Sequence, residues 1–469
     1  MQDEVARCLA LLAREIEAHR GDPRARRVTP AISSREMRRQ IENRYGDLSR
    51  GRPLRELTAE MIRLLREWNV QITHPRYFGL FNPSVKPASV VADALVSLFN
   101  PNLAARAAAE GACVLERFTL ERFLGLLGFP VETSEASFTS GGAEANHQAV
   151  LTAMAHRFPR AIEEGVGALD RRPVLYVSAD AHGSMAKAAQ ASGLGSRAVR
   201  RVPLDGRRRM DPEALGRLVS ADRAAGLEPF LVAATAGTTA AGAVDPLEAV
   251  AIVAAREGLW LHVDAAYGGI ALLSRRLKPL LSGIEQADSV TWDAHKTLSL
   301  ALGAGMFFSR HREAVARAFG IEAGYMPRSA EGEEDPYATT LQWSRRFLGL
   351  RVFMTLAAEG TSGLAEDADR VAALGHELRA RLTQAGFTLL NDSELPVVCF
   401  THPRIDAGEV RGLDILDRVL RSGRAWISHV SLSGRFALRA CVTSYLANEA
   451  DLDCLVEEVR AALNGVGRE

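Results

Sequence analysis

Only four lysines, Lys86, Lys187, Lys278 and Lys296, stand against 53 arginines in this chain, so a lysine marks a place where arginine would not serve. A lysine amine can shed its proton in a desolvated site and attack a carbonyl to form a Schiff base. A guanidinium, with its very high pKa, cannot. Lys296 stands in TWDAHKT (residues 291–297), after an alternating run at 288–293 and before a small-residue stretch at 298–308. That pattern predicts a strand end leading into a loop, where reactive groups collect. A surface lysine on a loop is the plain alternative on this stretch alone.

Thirty-two residues upstream, GLWLHVDAAYGG (258–269) reads as a buried strand with an acid, Asp264, at its C-terminal end and glycines soon after. Open parallel sheets bind ligands beyond the carboxyl ends of their strands. An aspartate there and a lysine one strand later is what pyridoxal phosphate chemistry requires: the lysine carries the aldehyde as an imine, and the carboxylate keeps the pyridine nitrogen protonated. A turn cap is the other reading of Asp264.

Two further residues fall at or past strand ends: His182 in DAHGS (180–184) and Thr235 in ATAGTT (234–239). Strands at 173–178, 228–234 and 259–264 alternate with helices at 183–192 and 246–256, which predicts a mainly parallel α/β sheet with all four residues on one edge. Earlier, FTSGGAEAN (138–146) runs from a short strand through a glycine pair into a helix. Such a turn offers free N–H groups and the positive end of a helix dipole to a phosphate. It lacks the GxGxxG and GxxxxGK[ST] patterns, which disfavours dinucleotide and P-loop readings.

The elements that must carry these residues need more than one domain, because 469 residues exceed a single core. The expected partition is a helical N-terminal arm at 1–85, a large α/β domain at 86–343 with a mobile loop at about 320–336, and a small α+β domain at 344–469. The arm, amphipathic with an Arg-rich link at 21–30, is expected to wrap a second subunit, with packing on its own chain the alternative. Zero formal net charge argues against nucleic acid or an anionic membrane as partner. The five scattered cysteines form no metal spacing and point to a reducing compartment. A charged N-terminus and the lack of a long apolar run leave the cytoplasm as the expected location.

Together, HPRYF at His74, FTSGGAEAN, DAHGS, TAGTT, HVDAAYGG, WDAHK and WSRRF at Trp343 resemble the group II pyridoxal phosphate-dependent amino acid decarboxylases, over about 74–459. The resemblance implies a fold-type I enzyme with a seven-stranded sheet, no metal, and pyridoxal 5'-phosphate held by Lys296 as the internal aldimine. It places Asp264 at the pyridine nitrogen, His182 on the ring face and Thr235 near the 3-oxygen, with Gly142, Ala143 and His295 at the phosphate. Ala143 stands where the family more often has a hydroxyl. Tyr325 matches the loop tyrosine that protonates the carbanion, whereas relatives with Phe there form aldehydes.

The implied substrate pocket comprises Leu80, Phe81 and Ser84 with Asn102, Ala104 and Arg106 from the partner of a homodimer. Few aromatics and an extra guanidinium suit a polar or acidic amino acid, since arginine can grip a carboxylate; Arg106 facing solvent, and hence an aromatic substrate, stays open. The rival readings are another fold-type I enzyme, such as an aminotransferase or carbon-carbon lyase, and a silent scaffold. Retention of Lys296, Asp264, His182 and Tyr325 together argues against the scaffold.

Overall fold

The computed structural model describes residues 2–326 and 334–465. The chain divides into two compact units, Val85–Ala373 with Asn391–Val397, and Met1–Ser84 with Leu374–Leu390 and Val398–Glu469. The division does not follow the three-way partition expected above: the N-terminal arm and the C-terminal segment fall in one unit, and the later boundary lies inside the helix Gly349–Gln384 rather than at 343.

The larger unit is built on seven strands: β1 (Glu135–Thr139), β2 (Pro173–Ser178), β3 (Val199–Val202), β4 (Glu228–Thr235), β5 (Trp260–Asp264), β6 (Ser289–Asp293) and β7 (Gly305–Ser309). Their order is β1-β7-β6-β5-β4-β2-β3. The run from β3 to β6 is parallel, and β7 is antiparallel to both its neighbours. Every residue of β2, β5 and β6 is buried, as strands covered on both faces must be. Thr235 pairs with Asp264, and Asp264 with Thr291, so the parallel strands deliver their last residues to one edge.

Two close approaches fix that edge. Gly305 pairs with both Thr139 and Asp293, and a Cβ on it would lie 2.5 Å from Thr139 Oγ1 and 2.6 Å from Gly141 Cα, so only glycine lets β1 and its turn come this near. In HVDAAYGG, a Cβ on Gly269 would meet the Trp292 ring at 2.5 Å. Trp292, fully buried, packs edge-on against Phe123 with centroids 5.0 Å apart. Phe123 belongs to the helix Arg106–Leu127, which ends on Gly128 at φ 72°. The helix expected from 344 begins at Gly349 and is interrupted at Gly360, φ 68°, a conformation open to glycine.

The second unit carries helices α1 (Gln2–Gly21), α2 (Ser34–Tyr45) and α3 (Leu54–Trp68) and a four-stranded sheet that includes the antiparallel hairpin Ser428–Leu432 and Arg435–Cys441. Within this unit the arm packs on the C-terminal segment of its own chain. Val28 N–H donates to Gly423 O at 2.7 Å, and Arg24 and Arg76 both reach the fully buried Asp451, at 2.7 and 2.9 Å. Two guanidiniums on one carboxylate supply the counter-charge that burying Asp451 demands. All five cysteines are buried thiols. Among the described residues no helix is long and apolar enough to cross a membrane, and no His/Cys/Asp/Glu group could hold a metal ion.

Candidate active site

Lys296 sits in a one-turn helix, Ala294–Thr297, directly after β6. Its Nζ lies 3.0 Å from Oδ2 of Asp293, the last residue of the strand. Asp293 is 2% exposed and its Oδ1 is buried with no partner, an unusual state for a carboxylate oxygen. His295 is buried beside them. Its Nδ1 accepts from Ala304 N–H at 3.3 Å, and burial lowers its pKa below the ordinary value against the pull of Asp293.

Asp264 ends β5, the neighbouring strand, and its carboxylate is held at both oxygens. Oδ1 accepts from Ala266 N–H at 3.1 Å and Oδ2 from Asn146 Nδ2 at 2.8 Å. Asn146 also reaches Ser184 Oγ at 2.8 Å and His262 Nε2 at 3.0 Å. Ser184 in turn lies 3.0 Å from His182 Nδ1. His182 is therefore tied to Asp264 through two intermediates, although it stands four residues beyond β2 rather than at its end.

The glycine turn closes this edge from the β1 side. Gly142 opens helix α4 (Gly142–Arg157), with Ala143 exposed in its first turn, and a Cβ on Gly142 would lie 2.8 Å from Asp293 Oδ2. A Cβ on Gly141 would touch His295 Cε1 at 3.5 Å. Glu144 caps the turn, accepting from Ser140 N–H at 2.8 Å and Oγ–H at 2.6 Å. Thr235 is held by Asp245, whose Oδ2 accepts Thr235 N–H and whose Oδ1 accepts Met210 N–H, both at 2.7 Å. Burial pushes the Asp245 carboxyl up to about 7, against the pull of those two N–H groups.

Lys296, Asp264, His182, Thr235, Gly142, Ala143 and His295 thus belong to one unit and one sheet edge. Asp293, Asn146, His262, Ser184 and Asp245 were not among the residues expected from sequence. The first was in view inside WDAHK, and Asn146 inside FTSGGAEAN; spacing showed the turn but not what the helix behind it touches. The edge fits a phosphorylated pyridine aldehyde: an amine, a carboxylate with both oxygens oriented, and a glycine turn no side chain could enter.

The residues implied as a substrate pocket have other visible engagements. Asn102 Oδ1 accepts from the N–H groups of Ala104 and Arg345, at 3.2 and 3.1 Å. Ala104 is buried. Arg106 is buried along the wall of a cavity of about 520 Å³ and pairs with Glu110 at 2.6 Å, so it does not face solvent. That cavity also meets the buried pair Arg345–Glu116, 2.6 Å, which gives WSRRF a packing role. In the other unit Leu80 is exposed, Phe81 is buried under the Arg439 guanidinium, and Ser84 Oγ lies 2.6 Å from Thr73 O and 2.7 Å from Ser444 Oγ. Arg439 itself is buried, with Nε and Nη2 lacking partners. Tyr325 is 78% exposed and stacks on Trp343, centroids 6.2 Å apart. Residues 327–333 of the expected mobile loop lie outside the described residues.

Comparison with known proteins bears on this edge as a whole. Residues 36–402 match the model of the pyridoxal-dependent decarboxylase conserved domain. The chain is 32% identical over 410 residues to the acidic amino acid decarboxylase GADL1 of Mus musculus, covering 84% of this chain and 74% of that protein. It is 34% identical over 351 residues to the cysteine sulfinic acid decarboxylase of Rattus norvegicus, covering 74% and 71%. Among solved structures it is similar to that of mouse CSAD, with TM-score 0.90, 28% identity and 98% of each chain covered. It is also similar to that of Oryza sativa TDC with PLP and tryptamine, with TM-score 0.91, 25% identity and 99% of each chain covered.

Proposed function

The chain belongs to the pyridoxal-dependent decarboxylase family, enzymes whose coenzyme is pyridoxal 5'-phosphate, and we propose that it converts an acidic L-amino acid to the amine and CO2. The observation that carries this reading is the pairing of strand ends: Lys296 follows β6 and Asp264 ends β5, with both Asp264 oxygens already held in place.

In this reading Lys296 Nζ would hold the coenzyme at its aldehyde carbon, and Asp264 would keep a proton on its ring nitrogen. His182 would serve the ring face and Thr235 the 3-oxygen, and Gly142, Ala143 and His295 would hold the phosphate. When bound, the coenzyme supplies a cationic conjugated ring that accepts the electrons of the breaking bond to the carboxylate. The chain's part is to hold that bond perpendicular to the ring, exclude water and return a proton to the α-carbon. Tyr325, on an exposed segment able to close over bound substrate, is the proton donor, helped by His182; such help is worth about 10² to 10⁴-fold in rate.

An acidic substrate is supported by the relatives named for acidic amino acid and cysteine sulfinic acid decarboxylation. We take the enzyme to be a cytoplasmic homodimer, with the pocket completed across the interface. The exposed pair Leu98 and Phe99, 75% and 76% accessible, is apolar surface in keeping with that assembly.

The test is to incubate purified enzyme and coenzyme with aspartate, glutamate, cysteine sulfinate, tyrosine and tryptophan. Carbon dioxide and amine should appear first with the acidic set. Preference for the aromatic pair would overturn the substrate assignment, and a keto acid as main product would overturn decarboxylation in favour of transamination.

A further inference from the structure

The hydrogen bonds behind Asp264 have a direction, and it can be worked out from both ends. At one end a carboxylate accepts only, so Asn146 must turn its amide nitrogen to Asp264 Oδ2 and its oxygen to His262. Nε2 of His262 therefore donates. At the other end the Trp260 indole N–H donates only, and it lies 2.8 Å from Ser289 Oγ. That leaves the Ser289 hydroxyl proton for His262 Nδ1, 2.9 Å away. The Asn146 end puts the proton of a neutral ring on Nε2 and the serine end is compatible with it, while burial lowers the His262 pKa against the pull of Asp264 and of the Ser289 backbone. Thr291 Oγ1, 3.5 Å from Nε2, can share that proton as an acceptor and changes nothing.

A branch reaches the second ring-facing group. Asn146 Nδ2 also lies 2.8 Å from Ser184 Oγ. If Ser184 accepts there, its own proton goes to His182 Nδ1, which already accepts from Ser184 N–H at 3.2 Å. The proton of a neutral His182 is then on Nε2. One amide thereby sets the orientation of Asp264 and the tautomer of His182.

We propose that Asn146 is a positioning residue, its amide nitrogen turned to Asp264 and its oxygen held by His262, and that this chain from Trp260 locks Asp264 and His182 for the coenzyme ring. The inference rests on the reading that Asp264 meets the ring nitrogen, and its test separates the two. If His262 loses its donor, the buried Asn146 oxygen is left without that partner and the amide loses the restraint that holds its nitrogen on Asp264.

The first measurement uses coenzyme-free enzyme with ¹⁵N-labelled histidine, where long-range ¹H–¹⁵N spectra report tautomers. His262 and His182 should both carry the proton on Nε2; an Nδ1–H form of His262 would overturn the chain with no variant needed. The second compares His262→Phe with His262→Gln, whose side-chain amide can again donate to Asn146. A lost hydrogen bond to a charged group predicts that the phenylalanine variant binds coenzyme about tenfold or more weakly, with the ¹⁵N shift of labelled coenzyme ring nitrogen moved toward the unprotonated value. Glutamine should recover most of both. Equal losses in the two variants would reduce His262 to packing and sink the proposal. Asp264→Asn is the separating arm: an unchanged ring-nitrogen shift there would show that Asp264 is not its partner, whatever the tautomers are.

Discussion

Replacing Asp293 by asparagine should tighten the hold on the coenzyme. Asp293 Oδ2 lies 3.0 Å from Lys296 Nζ, and two unit charges at that distance attract by about 5.5 kcal/mol at an effective dielectric of ~20. Keeping both groups out of water takes back much of this, and a net of about 1.5–3 kcal/mol is typical of a charge-assisted hydrogen bond. That stabilisation belongs to the coenzyme-free enzyme, because the amine must give up its proton and its bond to Asp293 before it can join the aldehyde. Removing it should raise affinity about 10- to 100-fold, at ~1.4 kcal/mol per factor of ten. A second contribution has the same sign: Asp293 Oδ2 crowds Gly142 at the turn proposed to hold the phosphate, and like charges repel. Titrating coenzyme-free Asp293→Asn with pyridoxal phosphate, followed by the visible band, gives the total. Pyridoxine 5'-phosphate, which has no aldehyde, isolates the repulsion. Unchanged or weaker binding of pyridoxal phosphate would refute the argument.

Tyr325→Phe should lower amine formation and raise aldehyde formation, read by product analysis; an unchanged ratio removes the tyrosine as proton donor. Arg345→Met should cost about 3–5 kcal/mol by stranding the buried Glu116 carboxylate, whereas Arg345→Met with Glu116→Leu should cost less than the single change. Additive losses in thermal melting would contradict that coupling. His74 gives a pH test. Burial lowers its pKa from 6.5 to about 4, so the unfolded chain takes up a proton that the folded chain refuses. Stability is full above pH ~6.5 and falls by up to about 3 kcal/mol as pH drops to ~4. Melting curves of His74→Asn should show a flatter acid limb, and an unaltered slope would count against it.

Much of the site edge was legible because its chemistry forces residue types. A Schiff-base amine must be lysine, in a chain that otherwise writes arginine, and a ring-nitrogen partner at a strand end must be an acid. The boundaries of β2, β4 and β5 were readable to within a residue, as buried parallel strands are nearly continuous apolar runs, whereas β3 was not read and β7 begins inside the stretch expected to be a loop. Residues that act on other residues were not legible. Asn146 sits one helical turn past the glycine pair, and nothing in FTSGGAEAN says its amide crosses to β5. Asp245 shares a hairpin-like turn with Thr235, yet its grip on that backbone depends on Met210, 35 residues earlier in sequence. The partner of the arm's arginines was not legible either: their shared target, Asp451, stands near the far end of the chain.

The scarcity of lysine has an analytical use. Lys86 is sequestered between Glu359 and Asp367, at 2.8 and 2.7 Å, while Lys187 and Lys278 are exposed and Lys296 is half-buried. An acylating label therefore has three reachable side-chain nitrogens, and a digest cutting after glutamate, which acylation leaves intact, separates them into different peptides. Mass spectrometry can then report occupancy at 296 as a protected fragment beside two internal standards, without a substrate ever being identified.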